Sequence, residues 1–298
     1  MTPPIPPPRE SGYTSTTPHP LYCARWGPAQ APQLLVLHGG PGAHHDYLLP
    51  QMLDLATDYE LTFYDQRGGG RSKVSDGGAI TWRTQVDDLA LVARELMSGP
   101  VTLLGYSWGG LLATLYATEA ARHVGLWYLV SRLVLIDPAS PTSAFRQRFE
   151  ATFDERQASP WVQEQRAALA ASGLRERDPA TFRQRSFELS VAGYFADPAN
   201  ARDLTPFRVT SRVQQSVWES LGTFDLLPAL RTIRVPTLVV HGREDPIPVE
   251  SSEAVANALA GRLVVLDHCG HVPYVERPAP LFAAIRSFLH ETASHAAE

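Results

Sequence analysis

Residues Gly105-Tyr106-Ser107-Trp108-Gly109 follow the apolar run Val101-Thr102-Leu103-Leu104 and precede Leu111-Leu112-Ala113-Thr114-Leu115-Tyr116-Ala117. An apolar run, then Gly-x-Ser-x-Gly, then a helix-forming run predicts a sharp strand-to-helix turn with the serine at its apex. Residues packed around such a turn must be small, and glycine accepts a backbone approach that a Cβ forbids. The hydroxyl is then held above a sheet, at the N-terminus of a helix whose amides favour developing negative charge. A chain that makes this turn needs a buried strand before it and a packed helix behind it.

The rest of the chain supplies such strands. Leu34-Leu35-Val36-Leu37, Leu61-Thr62-Phe63-Tyr64, Leu133-Val134-Leu135-Ile136, Thr237-Leu238-Val239-Val240 and Leu263-Val264-Val265-Leu266 are short apolar runs of the same kind. Amphipathic stretches at 46–57, 81–97 and 108–123 lie between the earlier ones, and a last helix is expected over about 279–291. Strands alternating with helices imply crossover units, a mostly parallel central sheet and helices on both of its faces. Residues 12–26 read as an antiparallel hairpin added at the sheet edge. Between Asp137-Pro138 and residue 230 the rhythm stops, and helices are expected at 144–157, 161–172, 179–192 and 206–221 with no strand. This predicts a core of 12–140 and 230–298 with an all-helical cap, 141–229, inserted over the C-terminal sheet edge where open α/β sheets bind ligands. Residues 1–11, rich in proline, are expected to form a flexible arm.

Composition excludes several classes of function. The 298 residues carry a net charge of −5, so no basic field for nucleic acid or an acidic lipid surface is expected. No uncharged apolar run approaches the length that spans a bilayer, and the N-terminus has no apolar signal region. Cys23 and Cys269 stand far apart and imply no disulfide framework, so a cytoplasmic location is expected.

A serine nucleophile needs a base, an acid that orients the base, and donors for an oxyanion. On this architecture they follow strands in the order Ser, Asp, His. Asp245, in His241-Gly242-Arg243-Glu244-Asp245-Pro246, is the acid candidate, with Asp137 and Glu244 as rivals. His271, in Cys269-Gly270-His271-Val272-Pro273, is the base candidate, with His268 as its competitor. The oxyanion donors are expected to be the backbone N–H groups of Trp108 and of Gly40, the latter in His38-Gly39-Gly40-Pro41-Gly42. His44, His45 and Asp46 match no common metal spacing, and Gly68-Gly69-Gly70 lacks the Lys-Ser/Thr of a phosphate loop. Neither a metal nor another cofactor is expected.

Five segments, His38-Gly39-Gly40-Pro41-Gly42, Asp65-Gln66-Arg67-Gly68-Gly69-Gly70-Arg71-Ser72, Gly105-Tyr106-Ser107-Trp108-Gly109-Gly110, His241-Gly242-Arg243-Glu244-Asp245 and Gly270-His271, appear in one order between residues 38 and 271. With them the chain resembles the proline iminopeptidase (prolyl aminopeptidase) family of α/β-hydrolases. The resemblance implies an α/β-hydrolase fold and metal-free release of an N-terminal residue, often proline, from a small peptide or aminoacyl substrate. It also implies cap carboxylates that bind the substrate amine, for which Glu188 and Glu219 are the candidates, each beside an aromatic residue. Asp65 and Arg67 are expected to pair and brace the loop below the site. The elbow reads Gly-Tyr-Ser where many members have Gly-Gly-Ser. An esterase, lactonase or amino acid amidase would use the same triad, and a non-catalytic binding protein on this scaffold is the third possibility.

Overall fold

The computed structural model describes residues 4–74, 78–122 and 129–294. Its centre is an eight-stranded sheet built from β1 (Glu10–Tyr13), β2 (Tyr22–Trp26), β3 (Gln33–Leu37), β4 (Glu60–Tyr64), β5 (Val101–Tyr106), β6 (Val130–Ile136), β7 (Thr237–Gly242) and β8 (Arg262–Leu266). The strand order is β1-β2-β4-β3-β5-β6-β7-β8. From β4 to β8 every pairing is parallel, and the β1–β2 and β2–β4 pairings are antiparallel. The fold is that of an α/β-hydrolase, a mostly parallel sheet covered by helices on both faces.

The alternation of side chains across the pleat divides the core in two. Leu35, Leu37, Leu103, Leu133 and Leu135 point to the face covered by α1 (Trp82–Leu96) and α2 (Trp108–Arg122). Leu34, Val36, Leu104, Val134 and Ile136 point to the opposite face. Both sets are buried, so each central strand reads as a continuous apolar run. Helix α1 begins at a reciprocal cap: the Thr81 hydroxyl accepts from the Thr84 amide at 3.2 Å, and the Thr84 hydroxyl accepts from the Thr81 amide at 2.9 Å.

Between β6 and β7 the described chain holds α3 (Ser143–Gln157), α4 (Pro160–Ala171), α5 (Leu174–Arg177), α6 (Pro179–Val191), α7 (Ser211–Leu221) and α8 (Leu227–Leu230), and no strand. Helix α9 (Val249–Leu259) follows β7, and α10 (Pro273–Glu276) and α11 (Pro278–Ser294) follow β8. Leu281, Phe282 and Ile285 of α11 join the second core face. No described helix is long and apolar enough to cross a membrane.

Several local expectations are corrected. The 46–57 stretch is two 3-10 segments, His45–Leu48 and Gln51–Thr57, because Pro50 interrupts it. The helix expected from 206 begins only at Ser211, since the Thr210 amide donates to Gly42 O at 2.9 Å and draws 206–210 across the glycine loop. The proline-rich arm is not free along its described length. Its end enters β1, Trp26 Nε1 donates to Pro6 O at 3.0 Å, and Arg9 pairs with Glu60 at 2.6 Å. Residues 1–3 of that arm, His123 at the end of the 108–123 helix and the core's last four positions lie outside the described residues.

Asp65 and Arg67 do not pair with each other. Arg67 instead makes a bidentate ion pair with the buried Asp88 of α1, with Nε at 2.7 Å from Oδ2. Asp65 accepts from the His45 ring at 2.7 Å and from the Arg71 amide at 2.9 Å, which ties the first inner loop to the loop after β4. Arg67→Met leaves Asp88 buried without its cation and is expected to cost about 3–5 kcal/mol, read as a lower urea midpoint. Arg67→Met with Asp88→Leu should recover most of the loss. An unchanged midpoint in the single variant would show that the pair carries no weight.

Candidate active site

Ser107 stands between β5 and α2 with φ +54°, in the left-handed region that costs a non-glycine residue energy. The turn is held by its own backbone. Ser107 N donates to Ile136 O at 2.9 Å, and Ser107 O accepts from the amides of Gly110 and Ala139, each at 2.9 Å. The flanking glycines are required by space. A Cβ on Gly109 would lie 2.1 Å from Leu37 O, and one on Gly105 would lie 2.4 Å from Gly109 O. Strand and helix can therefore cross close enough to lift the hydroxyl clear of the sheet.

The hydroxyl meets an imidazole. His271 Nε2 lies 2.9 Å from Ser107 Oγ, and His271 Nδ1 lies 2.7 Å from Asp245 Oδ2. A carboxylate only accepts, so Nδ1 carries the proton and Nε2 is free to accept from the serine. Asp245 is fixed in turn by the Ile247 amide, which donates to Oδ1 at 2.7 Å. The His271 backbone is clamped on both sides: its N–H donates to Tyr194 O at 2.7 Å, and its carbonyl accepts from the Tyr106 hydroxyl at 2.8 Å. The Tyr194 ring stacks on the imidazole at 5.2 Å. Burial pulls the His271 pKa down to about 4, which keeps the ring neutral and able to take a proton.

Asp137, the rival acid, lies directly behind Asp245. Each of Asp137, His241 and Asp245 offers a ligand atom within 4.8 Å of the others, and all three are buried. The cluster does not present a cation site, because His241 has both nitrogens engaged. Nε2 donates to Ile247 O at 3.0 Å, and Nδ1 accepts from the Ser252 hydroxyl at 2.9 Å. Asp245 receives two N–H donors, whereas Asp137 receives one, from Gly242 N at 2.8 Å, and its Oδ2 finds no donor. Burial and the neighbouring Asp245 push the Asp137 carboxyl well above the usual range. Burial also pushes Asp245 up, to about 8, and of the two acids Asp137 holds its proton more tightly.

Above the serine, the Gly40 and Trp108 amides have no protein acceptor among the described residues. A hydrogen-bond chain sets the Gly39–Gly40 peptide. His38 Nε2 accepts from Gln66 N at 3.0 Å, so His38 Nδ1 carries the proton and donates to Gly39 O at 3.0 Å. Because the peptide is trans, fixing that carbonyl fixes the Gly40 N–H on the opposite side. Gln66 Nε2 donates to His38 O at 2.7 Å, and its Oε1 accepts from Trp108 Nε1 at 2.9 Å. The Gly40 amide and the Trp108 side chain are thus tied into one buried network.

Two lobes open beside Ser107. The larger, about 320 Å³, has walls that include Phe153, Phe187, Tyr194 and Phe207. The smaller, about 90 Å³, is bounded by Trp108, Arg146, Phe149 and Trp218. Gly40, Ser107, Tyr194, Gln214 and His271 border both.

A pattern describing an alpha/beta hydrolase family matches residues 34–285. The chain belongs to the alpha/beta hydrolase family. It is similar to the proline iminopeptidase of Lactobacillus crispatus (strain ST1), with 25% identity over 87% of this chain and 90% of that one. It is also 27% identical, over 86% of this chain and 92% of the other, to a protein of Rhizobium rhizogenes named for carbamate hydrolysis. Among solved structures, a Mycobacterium smegmatis proline iminopeptidase superposes with TM-score 0.69 at 23% identity, covering 96% of this chain and all (100%) of that one.

Within this hydrolase frame the two cap glutamates are corrected. Helix α6 turns Phe187, Ser190 and Val191 toward the serine and Glu188 away from it. Glu188 borders a separate cavity beside Trp161, where it pairs with Arg185 at 3.0 Å and accepts from Gln184 at 3.0 Å. Glu219 is exposed and accepts from Gln215 at 2.7 Å, while its neighbour Trp218 points inward. Neither carboxylate borders the lobes beside Ser107. His268 is exposed, and Glu244 is spent on the Cys269 amide at 2.9 Å. Arg146, Gln214 and the His38–Gln66 network carry no motif that names their roles, although Gln66 lies inside the Asp-Gln-Arg-Gly segment.

The lowered pKa of His271 has a direct consequence. Activity needs the neutral ring, and a depressed pKa keeps that form populated as pH falls. The acid limb of kcat/KM is therefore expected below the ordinary imidazole value of about 6.5. A pH profile with folding followed by circular dichroism tests this, and a limb near neutrality would contradict it.

Proposed function

We propose that this chain is a serine hydrolase of small esters, lactones or amides that works through an acyl-enzyme. One observation carries the proposal: a single imidazole bridges Ser107 Oγ at 2.9 Å and Asp245 Oδ2 at 2.7 Å at the mouth of an aromatic cavity. Ser107 attacks the scissile carbonyl while His271 Nε2 takes its proton. Asp245 holds the tautomer and stabilises the imidazolium that forms. The Gly40 and Trp108 amides receive the oxyanion, each worth about 3 kcal/mol in related chemistry. The imidazolium then protonates the leaving group. Water, deprotonated by the same ring, attacks the acyl-enzyme and restores Ser107. No step calls on a metal or other cofactor.

Release of an N-terminal proline is the alternative within this mechanism. It is favoured by the similarity to proline iminopeptidases and by aromatic walls suited to a pyrrolidine ring. Against it, an N-terminal ammonium calls for a carboxylate, and none borders either lobe among the described residues. A cytoplasmic location belongs to the same proposal, supported by two free thiols.

Wild-type protein is expected to hydrolyse p-nitrophenyl butyrate and to take a fluorophosphonate label. Ser107→Ala should lose the label and about 10⁴-fold or more of kcat, with an unchanged thermal midpoint. Full activity in that variant would place the nucleophile elsewhere. Proline β-naphthylamide and its N-acetyl derivative separate the two substrate classes. Turnover of the N-acetyl derivative at least equal to that of the free amine is expected here, whereas a preference above about tenfold for the free amine would favour the aminopeptidase, since a charge-assisted bond supplies that much discrimination.

A further inference from the structure

The smaller lobe carries an unusual charge. Among the described residues that border the two lobes, Arg146 is the one with a permanent charge. It reaches the cavity from α3, and its guanidinium lies 3.7 Å from the centre of the Trp218 ring. Trp218 packs edge-to-face on Trp108 at 5.2 Å. The cation thus lies over one indole, whose edge-to-face partner is Trp108, the residue expected to give its backbone amide to the oxyanion.

The guanidinium is only partly satisfied. Nη2 pairs with Glu150 Oε1 at 2.6 Å one helical turn along, and Glu150 is half exposed and outside both lobes. Nε and Nη1 have no acceptor among the described residues. Arginine presents its donors in a planar fork that suits a carboxylate, and a stacked guanidinium loses little freedom when it binds one. Gln214, on α7 beside both lobes, adds an uncharged amide at the rim.

We propose that Arg146 binds an ionised carboxylate on the substrate, so that this hydrolase prefers acyl compounds carrying a second, free carboxyl group within reach of the scissile carbonyl. This rests on the serine-hydrolase mechanism above and narrows its substrate class. A dicarboxylic monoester, or a lactone with a pendant carboxylate, has the required chemistry: its carbonyl lies over Ser107 and its anionic end enters the small lobe. The same cation repels the ammonium of a peptide N-terminus.

The test compares p-nitrophenyl glutarate, an anion, with its neutral methyl ester, both followed by p-nitrophenolate release. Wild-type protein is expected to favour the anion in kcat/KM. Arg146→Gln should lower the anion-to-neutral ratio by about 10- to 100-fold, mainly through KM, as befits a lost charge-assisted pair. Arg146→Lys should keep part of the ratio, because a point charge survives without the fork. Glu150→Gln, which frees the guanidinium, should raise the ratio by about 2- to 5-fold. A merely structural role for Arg146 would move thermal stability and leave the ratio alone. A wild-type preference for the neutral ester, or a ratio unchanged in Arg146→Gln, overturns the proposal while leaving the hydrolase intact. If neither ester turns over and no fluorophosphonate label reaches Ser107, the hydrolase mechanism falls and this proposal with it.

Discussion

The site depends on how closely α2 can cross the end of β5. That approach leaves no room for a Cβ at Gly105 or Gly109, and it holds Ser107 at a φ of +54°. The strain is local and the restraint is distributed. Ser107 bonds through its backbone to β6, to the loop behind β6 and to the first turn of α2. The surrounding sheet over-determines one residue, and an otherwise mobile hydroxyl acquires a fixed direction. The remaining groups of the site are arranged relative to that direction.

Two buried polar layers translate sheet geometry into chemistry. Under the oxyanion position, His38, Gln66 and the Trp108 indole form a chain in which every assigned proton has an acceptor. Burial holds His38 neutral, with its pKa near 4, so the chain has one tautomer. Behind the imidazole, Asp137 and Asp245 share a space too dry for two negative charges. The uneven supply of N–H donors makes Asp137 the more firmly protonated of the two, behind the carboxyl that orients His271. Both layers sit beneath the reacting atoms and hold them in place without touching a substrate.

Much of this was legible because short-range physics and chain order agree. The parallel strands are apolar on both faces, and the loops after β5, β7 and β8 deliver Ser107, Asp245 and His271 in sequence order. Legibility fails where a residue's direction depends on a distant partner. Glu188 lies one residue from Phe187, yet a helix turns consecutive side chains by about 100°, so an aromatic at the cavity carries its neighbour away from it. Arg67 was within reach of Asp65 along the chain, but Asp88 of α1 presents a better-matched carboxylate. The start of α7 depends on a hydrogen bond between residues 42 and 210, which no local propensity records. Arg146 has the same character: on one helix it looks like an ordinary i,i+4 partner of Glu150, and only folding brings Trp218 beneath it.

The joint between Tyr194 and His271 constrains how the molecule can breathe. A cap carbonyl receives the imidazole residue's own amide, a cap ring lies flat on the imidazole, and a Cβ on Gly270 would sit 2.3 Å from that same carbonyl. The helical roof is therefore riveted at its most sensitive point. Swinging the roof from the histidine side would dismantle the proton relay it shelters.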